Sequence, residues 1–182
     1  GGSEYLDYTH PVQKSVREAF ESMTETSNLG FAIDGCSAPN FATTVHGLAR
    51  AMSKMASLST NNLRDKARTK LVEAMVTHPD LVAGEGRACT ELMRAMRGKV
   101  AVKTGAEAVF IAIIPEKQIG IAVKIIDGGT RAAESAITAL LIKYGVLDIS
   151  SPIAKKWLSG PIKNWRGTVT GEMKLSNSFI KL

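Results

Sequence analysis

Between Val100 and Ile126 the chain changes character, and this stretch constrains the fold more than any other. Residues 100–103, 108–114 and 119–126 are rich in β-branched side chains, which suit a pleated, half-buried surface. Ile121, Val123 and Ile125 alternate, so they share one face of a strand. Only Pro115-Glu116-Lys117-Gln118 separates the second run from the third. A connection that short joins neighbouring strands antiparallel, because a parallel pair needs a long crossover. Asp127-Gly128-Gly129 ends the third strand, and Thr130 is placed to cap a helix over 131–144 whose inward stripe is Ala133, Ile137, Leu140 and Leu141.

The preceding residues carry helical periodicity instead. Pro11 suits the first position of a helix over 11–23, with Val12, Val16, Ala19, Phe20 and Met23 as its apolar stripe. Phe31-Ala32-Ile33 reads as a short buried strand ending at the turn signal Asp34-Gly35. Residues 40–58 follow as an amphipathic helix with Val45, Leu48, Met52 and Met55 inward. A helix over 63–77 stops at His78-Pro79, since a residue before proline avoids helical geometry. Residues 82–86 read as a glycine-punctuated loop, and 89–96 as a helix with Leu92, Met93 and Met96 inward. After Gly145, residues 151–157 form a short helix and 168–175 a last strand at the sheet edge.

Helices first, then antiparallel strands, then a long helix: this order predicts an α+β domain, an antiparallel sheet with packed helices. The helical segment, about 40–98, either stacks on the sheet and C-terminal helix of 99–182 or forms its own lobe. The junction is the default place for a ligand pocket.

Composition narrows the function classes. The 182 residues suffice for one domain with a sizeable core, being 45% hydrophobic and 22% charged. The net charge of +6 would attract anions, but Lys and Arg are scattered and aromatics make up only 5%. That argues against a nucleic-acid platform. The longest apolar run, residues 109–114, is strand-sized, so no membrane span is expected. Gly1-Gly2 reads as a cloning scar or a native loop, and the first residues lack the basic and apolar regions of a signal peptide. Two cysteines without a CxxC pair predict no disulfide framework and a reducing cytoplasm. His10, His46 and His78 make no metal motif.

Three segments could carry chemistry. In Asp34-Gly35-Cys36 a strand delivers a carboxylate, a glycine and a thiol to a turn. Asp34 could hold a substrate ammonium, and Cys36 could serve as nucleophile or soft metal ligand. The plainer alternative is a buried cysteine beside a turn aspartate. In Lys103-Thr104-Gly105 a cation and a hydroxyl sit at the end of a strand, as in penicillin-recognising acyl-transfer enzymes. A solvent-facing lysine at a strand end is the alternative. In Gly84-Glu85-Gly86-Arg87 two glycines make a tight loop, with Glu85 and Arg87 paired to each other or to an ionic substrate. Cys89, at helical spacing, reads as core.

Together these segments resemble one family. The stretch from Phe31 through Asp34-Gly35-Cys36 to Phe41, the stretch 78–93 around Glu85, and residues 103–108 with 119–128 are similar to the asparaginase II family, the Rhizobium-type bacterial L-asparaginases. Residues 8–13 (Tyr8-Thr9-His10-Pro11-Val12-Gln13) add to the likeness, which runs over nearly the whole chain. The resemblance implies an L-asparagine amidohydrolase with a fold similar to serine β-lactamases and glutaminases. It places Asp34 and Cys36 in the active site, with Cys36 at a zinc ion, and Lys103 beside the catalytic serine and lysine. Gly35, Thr104, Glu85 and Arg87 follow as substrate-binding members of the motifs.

Family members carry a further N-terminal portion with a Ser-x-x-Lys nucleophile segment and a second cysteine. No Ser-x-x-Lys precedes Asp34, and the Ser151 to Lys155 stretch does not fit the spacing. The expectation is therefore a C-terminal portion, inactive alone, acting with a complementing N-terminal portion or as a homo-oligomer on a small amide substrate. Two alternatives are a non-catalytic, self-associating domain and a penicillin-recognising enzyme. The second leaves Asp34-Gly35-Cys36 without a place.

Overall fold

The computed structural model describes residues 4–27 and 29–180, so the reading of Gly1-Gly2 lies outside the described residues. His10 opens α1 (Pro11–Thr24) by accepting the Val12 N–H on Nδ1 at 3.2 Å. The expected apolar stripe does not turn inward as a whole. Val12, Val16 and Ala19 are exposed, while Gln13 and Thr24 are buried. α1 packs chiefly on one other helix, so only a narrow stripe is covered, and Phe20 and Met23 supply its apolar part. The buried Gln13 amide is satisfied, donating to Tyr5 O at 3.0 Å.

The next segment corrects two expectations. Residues 31–33 do form a strand, β1 (Phe31–Ile33), but it is exposed, with Ile33 at 64%. Asn40 and Phe41 belong not to a helix but to β2 (Pro39–Phe41), with Ala32 opposite Asn40 and Phe31 opposite Phe41. The aromatic pairing explains this. Tyr8 stacks on Phe31 at 4.3 Å, and Phe41 sits 6.2 Å from Tyr8 and 6.1 Å from Phe20. Such contacts add about 0.5–1.5 kcal/mol each beyond burial, more than helix propensity offers two residues. α2 (Val45–Ala56) starts only after Thr44, whose Oγ1 accepts the Gly47 N–H at 2.9 Å.

α3 (Leu63–Thr77) begins at Asn62, whose Oδ1 accepts the Asp65 N–H at 2.9 Å, and stops before Pro79. Val82 and Ala83, expected in a loop, finish the short α4 (Pro79–Ala83), because Pro79 at its first position reopens helical geometry. α5 (Ala88–Ala95) buries Leu92 and Met93, with Met96 just beyond it also buried, as its periodicity predicts.

The central sheet is β3 (Ala101–Thr104), β4 (Val109–Ile114) and β5 (Ile119–Lys124), antiparallel in that order. The β4–β5 connection is one 3₁₀ turn, Pro115–Lys117, followed by Gln118 at φ 54°. α2 lies directly on β5 because Gly120 has no side chain. A Cβ there would stand 2.0 Å from Ser53 N and 2.4 Å from Ala49 O. The opposite sheet face, with Phe110, Ala112, Ile114 and Ile121, shares one core with Ala133, Ile137 and Leu141 of α6 (Thr130–Lys143). Each such large apolar side chain contributes roughly 1.5–3 kcal/mol of burial. Gly129, not Thr130, caps α6, because Asp127 Oδ1 takes the Gly129 N–H at 2.8 Å and Thr130 is already helical.

α7 (Pro152–Ser159) is capped by Ser151. The last expected strand appears as β7 (Val169–Glu172), but it pairs with β6 (Pro161–Lys163) in a separate hairpin rather than at the sheet edge. α8 (Asn177–Ile180) follows. The architecture is mixed α+β, with α2 and α5 packed against the sheet.

Candidate functional site

A cleft of about 460 Å³ opens where the α1–α2 pair meets the sheet. Its walls are Phe20, Asn40 and Phe41, the run Thr43–Val45 with Leu48, and, across from them, Gly105, Ala106, Val109, Val123 and Lys124. The base of the hairpin carrying Asp34-Gly35-Cys36 and the turn after Lys103-Thr104 therefore border one cavity at the junction. The first turn of α2 borders it too, and a helix N-terminus favours negative charge. Lys124 is the cation among the lining residues.

At the hairpin tip the backbone is held by short local bonds. Asp34 N–H donates to Ala38 O at 3.0 Å and Ser37 N–H to Asp34 O at 2.8 Å, with Ser37 left-handed at φ 66°. Asp34 Oδ1 accepts the Gly35 N–H at 2.8 Å, and Oδ2 accepts the Cys36 thiol at 3.5 Å. Asp34, Gly35 and Cys36 are all exposed.

Lys103 stands exposed on β3 opposite Ile111, its Nζ donating to Thr104 O. Thr104 N–H donates to Cys89 Sγ at 3.2 Å, and Gly105 N–H to Val109 O at 2.7 Å. The chain then turns through two left-handed residues, Glu107 (φ 53°) and Ala108 (φ 57°). Such conformations cost side-chain-bearing residues free energy and persist only where neighbours enforce them. Lys124 does so: its Nζ donates to Glu107 O and, at 2.7 Å, to Ile125 O, while Ile125 N–H donates to Ala108 O at 3.2 Å.

In the third segment Glu85 pairs not with Arg87 but with Arg94, through two bonds of 2.7 Å. The Arg94 guanidinium holds the Glu85 carboxyl below its usual range. Arg94 lies two turns into α5 and presents a planar fork to the loop, whereas Arg87 precedes that helix. Thr90 Oγ1 fixes the loop by donating to Gly84 O at 2.6 Å.

Cys89, in the first turn of α5, joins the second and third segments. It is buried, and burial pushes its thiol up, against smaller downward pulls from the Thr104 N–H, Lys103 and Arg87. Lys103, Thr104 and Arg87 thus gather around one buried sulfur. No hydrogen bond or ion pair among the described residues links the Asp34–Cys36 tip to them. The cleft-lining Asn40, Thr43, Thr44 and Lys124 were not singled out by sequence. Asn40 and Lys124 sit in stretches matching the family likeness, but nothing local marks them.

A model of the L-asparaginase II family matches residues 2–175. The chain belongs to that family. It matches none of the curated proteins. Membership in the L-asparaginase II family points to L-asparagine as the substrate and its hydrolysis as the activity. For zinc, Cys36 and Asp34 offer two donors. Among the described residues no group of three or more His, Cys, Asp or Glu converges. A tetrahedral site needs four ligands, so this chain's described residues do not complete one. No described helix is long and apolar enough to cross a membrane.

Proposed function

We propose that the chain contributes the substrate-side half of an L-asparagine amidohydrolase, with the cleft between β2 and the Gly105–Ala106 turn receiving the substrate. The family match over residues 2–175 carries this reading. In the reaction the side-chain amide C–N bond breaks, water supplies the hydroxyl of the new carboxylate, and ammonia leaves. Lys124 and the first turn of α2 suit the α-carboxylate. Asp34, with its second oxygen free of backbone, suits the ammonium. Lys103 stabilises negative charge at the reacting centre, and Cys36, exposed at the hairpin tip, serves as a soft ligand or thiol. The attacking serine and its lysine come from a complementing N-terminal portion of a β-lactamase-like fold, and the assembly works in the cytoplasm. Glu85 and Arg87 act from the loop beside Lys103, Arg87 toward substrate and Glu85 by holding Arg94.

Ammonia release from L-asparagine tests this. The purified chain alone is expected to be inactive, and joined to its complementing portion it gains turnover that falls about 10²-fold in Lys103→Ala, the scale of losing one transition-state donor. Robust turnover that survives both Cys36→Ala and Lys103→Ala removes the site assignment.

A second reading, a self-associating domain without catalysis, is favoured by exposed apolar side chains. Val12 and Val16 on α1 are 48% and 47% exposed, and Phe31 on β1 is 43% exposed. Single exposed apolar residues are ordinary, but several on adjoining elements mark an interaction face. Light scattering decides, and a clean monomer counts against it.

A further inference from the structure

A second cleft, of about 310 Å³, lies between α6, α7 and the β6–β7 hairpin, and it shares no lining residue with the first. Arg131 and Glu134 of α6, Lys156 and Trp157 of α7, Ile162 and Lys163 of β6, and Met173 are among its walls. The walls are fixed in advance. Lys156 Nζ donates to both Glu91 oxygens at 2.7 Å, and Trp157 Nε1 donates to Glu91 Oε2 at 2.8 Å. The indole is thereby held with its polar edge satisfied. Ser135 Oγ donates to Leu158 O at 2.7 Å and ties α6 to α7. Binding to such a site loses little in ordering.

The remaining charges are not spent on one another. Glu134 is half-buried, and among the described residues its carboxylate makes no hydrogen bond or ion pair, only longer-range attraction to Arg87 and Lys156. Arg131 and Lys163 likewise make neither. Withdrawing a carboxylate from water without a direct hydrogen-bonded partner costs free energy that a ligand cation would recover. A simple cation is opposed by Arg131 and Lys163, and a simple anion by Glu134. A zwitterion satisfies both, and Ile162, Met173 and the indole face opposite the Lys156 ammonium, which stands 4.7 Å from the ring centroid, receive an apolar substituent.

We propose that this cleft binds a free α-amino acid with an apolar side chain, its ammonium on Glu134, its carboxylate on Arg131 and Lys163, and its side chain against Trp157. The volume stands at the small end of ligand pockets, which suits a molecule of this size.

The test is titration of the whole chain with L-leucine, read at the Trp157 indole N–H resonance and assigned with Trp157→Phe. No tryptophan lines the first cleft, so amino-acid binding there, or failure of the amidohydrolase reading, leaves this signal unmoved. Saturable movement is expected. Leucinamide, lacking the carboxylate, and N-acetyl-L-leucine, lacking the ammonium, are each expected to bind at least about tenfold more weakly, the factor for one lost polar contact of 1.4 kcal/mol. Glu134→Gln and Lys163→Gln should show the same loss. Lys163 is exposed, and the two analogues need no variant, so a misfolded Glu134→Gln leaves the outcome readable. No saturable movement overturns the proposal, as does equal movement with leucine and both blocked analogues.

Discussion

The backbone N–H of Thr104 donates to the Sγ of Cys89 at 3.2 Å, across fifteen residues of sequence. This bond fastens the end of β3, where Lys103 stands, to the first turn of α5, where the Glu85 loop ends. A residue with the sequence signature of core filler thus also positions a candidate catalytic segment. Cys89→Ala should cost about 1–3 kcal/mol, combining lost packing with an orphaned, part-buried N–H. Urea denaturation measures it, and an unchanged midpoint removes the anchoring role.

The same burial separates the two thiols. Cys36 is exposed and Cys89 buried, and only the thiolate of an accessible cysteine reacts readily. A thiol reagent should therefore titrate one group in the native protein and the second only on unfolding. Two fast native thiols would contradict the described packing of α5.

Gly120 marks where α2 meets the sheet. A methyl group there would stand 2.0 Å from Ser53 N and 2.4 Å from both Ala49 O and Met52 C, all backbone atoms that cannot rotate away. α2 would have to lift from β5, opening the wall that carries Thr44 and Leu48 into the first cleft. Gly120→Ala should destabilise by roughly 3 kcal/mol or more, at the upper end of overpacking effects. A loss below about 1 kcal/mol by denaturant titration would mean that α2 does not pack so closely.

The β4–β5 hairpin was legible because alternation and the short Pro115–Gln118 connection act locally. So was α5, whose Leu92, Met93 and Met96 fall on one face. Asn40 and Phe41 were not, because their strand exists through Tyr8 and Phe31, residues distant in sequence. β7 was read as a strand, but its partner, a three-residue strand beginning at Pro161, leaves no periodic signal. The site was legible as motifs and not as contacts. Asp34-Gly35-Cys36 and Lys103-Thr104-Gly105 could be found by residue type. The Arg94 partner of Glu85 lies on a helix face that loop chemistry does not reveal. Lys124 looked like any lysine at a strand end.

Glu134 gives the protein a definite pH response. Burial raises its carboxyl above the ordinary 4.5, against weaker pulls from Arg87 and Lys156. The folded chain therefore holds this proton at pH values where the unfolded chain has released it. Stability from this group falls as pH rises from about 4.5 through the folded value, and stays lowered above it. Glu134→Gln should be more stable than the parent at neutral pH, with the difference vanishing below pH 4.5. Denaturation midpoints across this range measure it. A variant less stable at neutral pH would show that Glu134 has a partner in the folded protein.

Lys124 offers the sharpest test of how the first cleft keeps its shape. Glu107 and Ala108 both occupy left-handed conformations, and the Lys124 ammonium bonds the carbonyls of Glu107 and Ile125 on either side of the strained turn. Charge-assisted bonds of this kind contribute about 1.5–3 kcal/mol when sheltered and less when exposed, and Lys124 is exposed. Lys124→Met keeps the aliphatic stem but removes the clamp. The turn should then sample right-handed backbone, which breaks the bond from Ile125 N–H to Ala108 O. Hydrogen exchange at the Ile125 amide is expected to quicken about tenfold, the factor for 1.4 kcal/mol, while amides of the β4–β5 ladder beyond Val123 keep their protection. Lys124→Arg, which retains a cation of similar reach, should restore most of the slow exchange. Unchanged exchange at Ile125 in Lys124→Met would show that the sheet alone holds the turn. Gly105 would then owe its place in the cleft wall to β4 rather than to Lys124.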